Sequence, residues 1–233
     1  MAPGAVHLPR WLGPGAQRRL LADCLGWADS AGGFRRPQMP NGTSMSVGIA
    51  CLGWHWFPYR YSRTVDDGDG RPVPPFPPAL GDLARRAAAD AAGLDPEVAG
   101  DLDGGLDTYR PDVALLNRYE RGASMGLHAD RDEPHPAPVV SLSLGRSAVF
   151  RFGNTERRGP PYVDVVLESG DAFVFGGPSR RCYHGVPKVF TTSTDPGRDP
   201  DGLGLDAVRL NVTVRQSGLD GSPFLPSGRR RPG

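Results

Sequence analysis

After Pro111 the chain alternates apolar and polar residues in short runs that continue as far as Gln216. The runs are DVALLNRY, VVSLSLG, AVFRFG, YVDVVLESG, DAFVFGG and VRLNVTVRQ, separated by Gly, Pro, Asn and Asp. A period of two bounded by turn residues predicts six strands, and regular short strands predict a sandwich or barrel. Upstream the period changes. Leu20, Leu21, Cys24 and Trp27 fall at helical spacing within residues 16–31, before a Gly-Gly break, and predict an amphipathic helix. Leu80, Leu83 and Ala87 do the same in PALGDLARRAAADAAG, where Gly93 is expected to end a second helix. Between the helices lie an aromatic and basic stretch, residues 40–63, and the extended connector RPVPPFPP. TTSTDPGRDPDGLGLDA is expected to form an exposed loop between two core strands, and residues 217–233 a poorly ordered tail.

Composition adds limits. A chain of 233 residues fits one domain with a core of its own, and 32 Gly and 25 Pro favour strands and turns over long helices. A net charge of +1 supplies no field over the whole molecule, so a nucleic-acid partner would have to be gripped by a local patch. Cys24, Cys51 and Cys182 form no C-x-x-C pair, which argues against a zinc ribbon, a dithiol redox site or a disulfide scaffold. No stretch has the length and apolarity of a membrane span, and MAPGAVHLPRWLGPG lacks the apolar run of a signal peptide. The expectation is a cytoplasmic monomer with reduced thiols and no membrane partner.

Candidate chemistry begins at LHADRDEP, where His128 and Asp130 are two apart and share a face if the segment is extended. Two imidazoles and one carboxylate on one side of an ion form the facial triad of non-haem Fe(II) oxygenases, and His184 in RCYHGVPK is the natural third ligand. Alone, an H-x-D pair is weak evidence, because solvated pairs of this kind are common. His7, His55 and His135 lack comparable partners, and His135 sits between two prolines. In the last strand Arg209, Asn211, Thr213 and Arg215 fall on one face, with Leu210, Val212 and Val214 on the other. Two arginines on one strand face suit a dicarboxylate near a metal, which points to 2-oxoglutarate. Asn117 and Tyr119 share a face of DVALLNRY and could reach the same ligand. The competing explanation is a solvated outer sheet face.

LLNRYERGASMGLHADRDEP, VVSLSLGRSAVFRFG, LESGDAFVFGGPSRRCYHGV and RLNVTVRQ resemble the AlkB family of Fe(II)/2-oxoglutarate-dependent nucleic-acid demethylases. The resemblance runs from about Met45 through Gln216. It implies an α+β, mainly β fold: a double-stranded β-helix, or jelly roll, with N-terminal helices and a nucleotide-recognition lid. Residues 1–216 would form a single domain, with the lid at about 40–63 and the jelly-roll core at 111–216. His128, Asp130 and His184 would bind Fe(II), with 2-oxoglutarate and O2 as cosubstrates. Asn117, Tyr119, Arg209, Asn211 and Arg215 would hold 2-oxoglutarate, with Arg215 on its distal carboxylate. The implied reaction couples decarboxylation of 2-oxoglutarate to hydroxylation of an N-methyl group and release of formaldehyde.

The implied partner is alkylated DNA, single-stranded by preference because a paired base must first be unstacked to reach the metal, with double-stranded DNA and RNA as further partners. Trp54 is the candidate stacking face, and Tyr59 and Tyr61 are candidate lid contacts. Asp132 matches the family position near the target base, where a carboxylate would stabilise the positive charge of 1-methyladenine or 3-methylcytosine. Met45 and Arg131 are taken as further nucleotide contacts. Two features depart from the family pattern. The aromatic segment between Trp54 and Tyr61 is shorter, and the connection from His184 to Arg209 is longer. The alternatives are the same chemistry on RNA, tRNA or a small metabolite, and a non-catalytic jelly-roll module that keeps a metal as structure.

Overall fold

The computed structural model describes residues 1–100, 102–190 and 208–219. Its centre is a six-stranded sheet built from β1 (Ala5–Leu8), β2 (Gly48–Leu52), β5 (Val113–Tyr119), β7 (Val139–Gly145), β10 (Ala172–Phe175) and β12 (Arg209–Arg215), in the order β1-β10-β7-β12-β5-β2. A four-stranded sheet in the order β6-β11-β8-β9 packs across it, from β6 (Met125–His128), β8 (Ala148–Phe152), β9 (Val163–Leu167) and β11 (His184–Val189). The short hairpin of β3 (His55–Phe57) and β4 (Arg60–Ser62) stands apart from both. The pairings within the sheets are antiparallel, as expected of a jelly roll.

Alternation along the strands divides the core in two. Ala114, Leu116, Val140, Leu142, Leu144, Leu210, Val212 and Val214 point to one side of the large sheet. There they meet α1 (Pro14–Ser30) through Leu20, Leu21 and Cys24, and α2 (Pro78–Leu94) through Leu80, Ala84, Ala87, Ala88 and Ala91. The alanine-rich face of α2 lets its backbone lie close to the sheet. Val113, Leu115, Tyr119, Phe173 and Phe175 point the other way and pack with Phe150, Phe152 and Val186 of the small sheet. Every residue of β12 is therefore buried, which removes the solvated-face explanation for its arginines.

All six predicted strands form. Four further sheet strands, β1, β2, β6 and β11, and the β3–β4 hairpin lay outside that set. Within the segment 40–63, residues 48–52 are β2, fully buried and paired with β5, and the β3–β4 hairpin follows. The jelly roll likewise draws β1 and β2 from outside 111–216. Gly93 does not end the second helix; Leu94 is still helical, and Asp95, held extended before Pro96, ends it. The expected loop at 191–207 and all but residues 217–219 of the expected tail lie outside the described residues. Ser217 is fully buried, and its N–H and hydroxyl donate to Asp112. Among the described residues no helix is long and apolar enough to cross a membrane, and all three cysteines are unpaired and buried.

Candidate active site

The two sheets bring together what the sequence separates. His128 on β6 and His184 on β11 are direct cross-strand partners, with ring centroids 4.5 Å apart. The strands approach closely at this point. A Cβ on Gly185 would lie 2.7 Å from the Met125 carbonyl oxygen, so glycine is required after His184. Asp130, just past the end of β6, places its oxygens 3.8 Å from His128 Nε2 and 3.9 Å from His184 Nε2. Among the described residues these three form the set able to hold a metal ion. The excluded histidines are committed elsewhere: His7 to Asp171, His55 to Asp67 and His135 to Gln216.

The donor chemistry fits a divalent metal. His128 Nδ1 lies 3.0 Å from the Gly126 carbonyl oxygen, and His184 Nδ1 lies 3.0 Å from that of Cys182. Each bond requires the proton on Nδ1 and leaves the Nε2 lone pair for the ion. Burial, reinforced by the neighbouring His128, pushes His184 down to about 4, so its imidazole is neutral at pH 7. Phe150, Phe152 and Phe175 surround that ring at centroid distances of 5.8, 6.5 and 5.0 Å. Burial alone would raise the Asp130 carboxyl, but the Arg215 guanidinium and the two histidines hold it well below the usual carboxylate range.

Next to the triad, β5, β7 and β12 present a polar face inside the fold. Register places Arg209 opposite Tyr119, Asn211 between Asn117 and Ser143, and Thr213 opposite Ser141. Asn117 Nδ2 donates to Asn211 Oδ1 at 3.2 Å, and Asn211 Nδ2 donates to Ser141 Oγ at 2.7 Å. Ser141 and Ser143 were not anticipated as site residues, although their parity in VVSLSLG marks them as facing the same way. Arg209 is 1% exposed; it donates to Ser143 Oγ at 3.0 Å and to the Arg146 carbonyl at 3.2 Å, while its Nε has no partner. Burial lowers its pKa to about 10, still protonated at neutral pH.

Arg215 is held by two carboxylates. Its Nε donates to Asp130 Oδ2 at 2.9 Å and its Nη1 to Glu133 Oε1 at 3.2 Å. A guanidinium tied to a metal ligand lies at the metal end of the cavity. Arg209, six residues away along the strand and roughly 20 Å distant in backbone terms, lies at the other end.

A cavity of about 480 Å³ joins these parts. Met45, Tyr59, Arg131 and Asp132 line it, together with Met39, Trp56, Met125, Arg158 and Tyr183. Trp54 and Tyr61 are not among the lining residues. The Trp54 ring is covered by the Arg63 guanidinium, 3.6 Å from its centroid, and its indole N–H donates to Asp112 at 3.2 Å. The Tyr61 hydroxyl donates to Glu133 within the buried charge cluster. Trp56, two residues on from Trp54, meets the cavity instead, and its Nε1 donates to Asp132 Oδ2 at 3.0 Å. Burial and the nearby Glu133 and Asp130 charges raise the Asp132 carboxyl. Arg131 lies over the Tyr183 ring at 5.3 Å and Arg158 over the same ring at 5.9 Å, forming a basic rim.

A jelly roll with a two-histidine, one-carboxylate triad beside an internal arginine cradle defines the class of non-haem iron oxygenase that uses a 2-oxo acid. The chain belongs to the 2OG-Fe(II) oxygenase superfamily, which it matches over residues 4–215. It is an Fe(II)/2-oxoglutarate-dependent dioxygenase, with O2 as the second cosubstrate. It is 38% identical to the alpha-ketoglutarate-dependent dioxygenase AlkB of Escherichia coli, over 94% of this chain and 92% of that one. It is 33% identical to the DNA N(6)-methyladenine demethylase ALKBH1D of Arabidopsis thaliana, over 91% of this chain and 49% of that one. The solved structure of OsALKBH1 superimposes with a TM-score of 0.78 at 33% identity, covering 93% of this chain and 99% of that one.

Proposed function

We propose that the protein removes methyl groups oxidatively from alkylated nucleobases, acting on 1-methyladenine and 3-methylcytosine in DNA and preferring single strands. The observation that carries this reading is the cavity itself, which the triad shares with Trp56, Tyr59 and Asp132. Aromatic faces suit a flat base, and a carboxylate suits the cationic ring that N1 or N3 methylation creates. The similarity to ALKBH1D, a DNA N(6)-methyladenine demethylase, supports a methylated base in DNA as the substrate. Flipping a base out of a duplex costs a few kcal/mol, which favours single strands.

In this reading His128, Asp130 and His184 hold Fe(II) through two Nε2 atoms and a carboxylate oxygen. Iron bound there would, with 2-oxoglutarate and O2, supply the chemistry that hydroxylates the N-methyl carbon, giving succinate, carbon dioxide and an N-hydroxymethyl base that sheds formaldehyde. The chain's own residues position the reactants. Arg209 pairs with the distal carboxylate of 2-oxoglutarate through its unpartnered Nε, with Tyr119 beside it. Asn117 and Asn211 line the middle of the cradle. Arg215 keeps Asp130 ionised and oriented. Met45 and Tyr59 contact the nucleotide, and Arg131 and Arg158 at the rim meet phosphates.

Three unpaired buried thiols fit a reducing cytoplasm, where the enzyme acts as a monomer. The test is an oligonucleotide panel carrying 1-methyladenine, 3-methylcytosine or N6-methyladenine, in DNA and in RNA, single- and double-stranded, with formaldehyde as readout. Release from the two cationic lesions that requires both Fe(II) and 2-oxoglutarate is expected. No release from either, with metal and cosubstrate bound, would sink the proposal.

A further inference from the structure

The β3–β4 hairpin meets the loop after Asp130 at two points. Tyr61 reaches Glu133 in the buried charge cluster, and Trp56 reaches Asp132 at the cavity wall. The second contact is built from both sides. Behind Trp56, its carbonyl accepts from Arg35, which also donates to Asp67 at 2.5 Å, and its N–H points to Cys51 Sγ at 3.4 Å. Across the hairpin Trp56 pairs with Tyr61, itself anchored to Glu133. The indole thus projects from a fixed backbone, and its Nε1–H occupies Oδ2 of Asp132. Asp132 Oδ1 takes no hydrogen bond from the described residues.

We infer that Trp56 is a specificity-determining residue: its ring is a wall of the base pocket, and its indole N–H fixes the Asp132 carboxylate so that the free oxygen selects a positively charged methylated base over a neutral one. The inference rests on the nucleobase reading above. An aspartate free to rotate must be ordered when a cation binds, whereas one already held by Trp56 meets the cation with that cost removed. A methyl group on N1 of adenine or N3 of cytosine leaves a fixed positive charge, while unmodified cytosine and N6-methyladenine are neutral. Trp54 cannot take this part, since Arg63 covers its ring and Asp112 holds its N–H.

The experiment is equilibrium binding of single-stranded oligonucleotides to the iron- and 2-oxoglutarate-loaded enzyme without oxygen, so that nothing turns over. The readout is the ratio of affinities for one 3-methylcytosine and for cytosine at the same position. Trp56→Phe keeps a ring and deletes the N–H, and should lower this ratio about tenfold. Asp132→Asn keeps an acceptor for the indole and deletes the charge, and should lower it at least as far. The double variant should fall no further than Asp132→Asn alone, because both substitutions act through one carboxylate. Trp54→Phe should leave the ratio unchanged. A general loosening of the hairpin would weaken binding to both oligonucleotides and leave their ratio in place. A Trp56→Phe ratio within about twofold of the parent, or additive losses in the double variant, overturns the inference alone. Absence of any preference in the parent enzyme overturns the nucleobase reading, and this inference with it.

Discussion

The assignment of the two strand arginines to opposite ends of the cavity is the sharpest quantitative claim to test. Arg209 is 1% exposed, meets only a hydroxyl and a carbonyl among the described residues, and has an unpartnered Nε. Replacing it with Lys keeps the charge but removes the planar fork. Loss of one hydrogen bond between charged groups costs about 1.5–3 kcal/mol, and a factor of ten corresponds to about 1.4 kcal/mol. Arg209→Lys should therefore raise the KM for 2-oxoglutarate by roughly 10- to 100-fold, with iron affinity unchanged. Arg215→Lys should behave differently. It leaves Asp130 and Glu133, 7% and 1% exposed, short of donors, so the loss should appear as weaker iron binding and a lower Tm. The assays are 2-oxoglutarate titration of steady-state turnover, metal titration and thermal melting on both variants. A rise in the KM for 2-oxoglutarate confined to Arg215→Lys would refute the assignment and restore Arg215 to the distal carboxylate.

Three other outcomes follow from the geometry. Burial holds His184 down to about 4, against an ordinary value of 6.5 in the unfolded chain. The unfolded chain therefore binds the extra proton first, and metal-free stability, fully present above pH 6.5, should fall as pH drops toward 4, at up to about 1.4 kcal/mol per pH unit for one proton. Melting of metal-free enzyme across that range should show a slope that His184→Gln flattens; parallel profiles would contradict it. Tyr59 has a φ of 68° at the hairpin tip and is 62% exposed, so Tyr59→Gly should relieve up to about 1 kcal/mol of strain while weakening substrate binding. A raised Tm with a raised KM for the oligonucleotide is expected, and a lowered Tm would count against strain at this residue. Asp130→Ala should abolish formaldehyde release and iron binding together; retained turnover would remove Asp130 from the metal site.

Much of this site was readable in the sequence because strand parity is a short-range rule. Once VRLNVTVRQ is a strand, Arg209, Asn211, Thr213 and Arg215 must share a face, whatever packs against it. H-x-D was readable for the same reason. What parity does not give is direction along the strand relative to the metal. That direction depends on which end of β12 meets Asp130, a contact across 85 positions. The aromatic segment failed differently. Trp54 and Trp56 are alike in the sequence, and only the distant partners Arg63, Asp112 and Asp132 decide which ring faces the cavity. Strands β2 and β11 lacked a usable pattern: GIACL is buried on both faces, and HGVPKV carries a proline and a register shift.

The polar face of β12 also explains how the fold tolerates its own active site. A central strand with arginine, asparagine and threonine buried on one side would ordinarily destabilise a sheet. Here the cross-strand neighbours are Asn117, Ser141 and Ser143, which satisfy the amide and hydroxyl groups within the sheet itself. Asp130 and Glu133 satisfy Arg215. Within this face the buried donor left over is Nε of Arg209. In the proposed reading the cradle is thus organised before any cosubstrate arrives, and its one outstanding donor awaits a carboxylate. Ordering costs that would otherwise oppose 2-oxoglutarate binding are already met by folding, while the desolvated charge on Arg209 favours an anion over water. The apolar side of the same strand, Leu210, Val212 and Val214 against α1 and α2, supplies the burial that holds this arrangement in place.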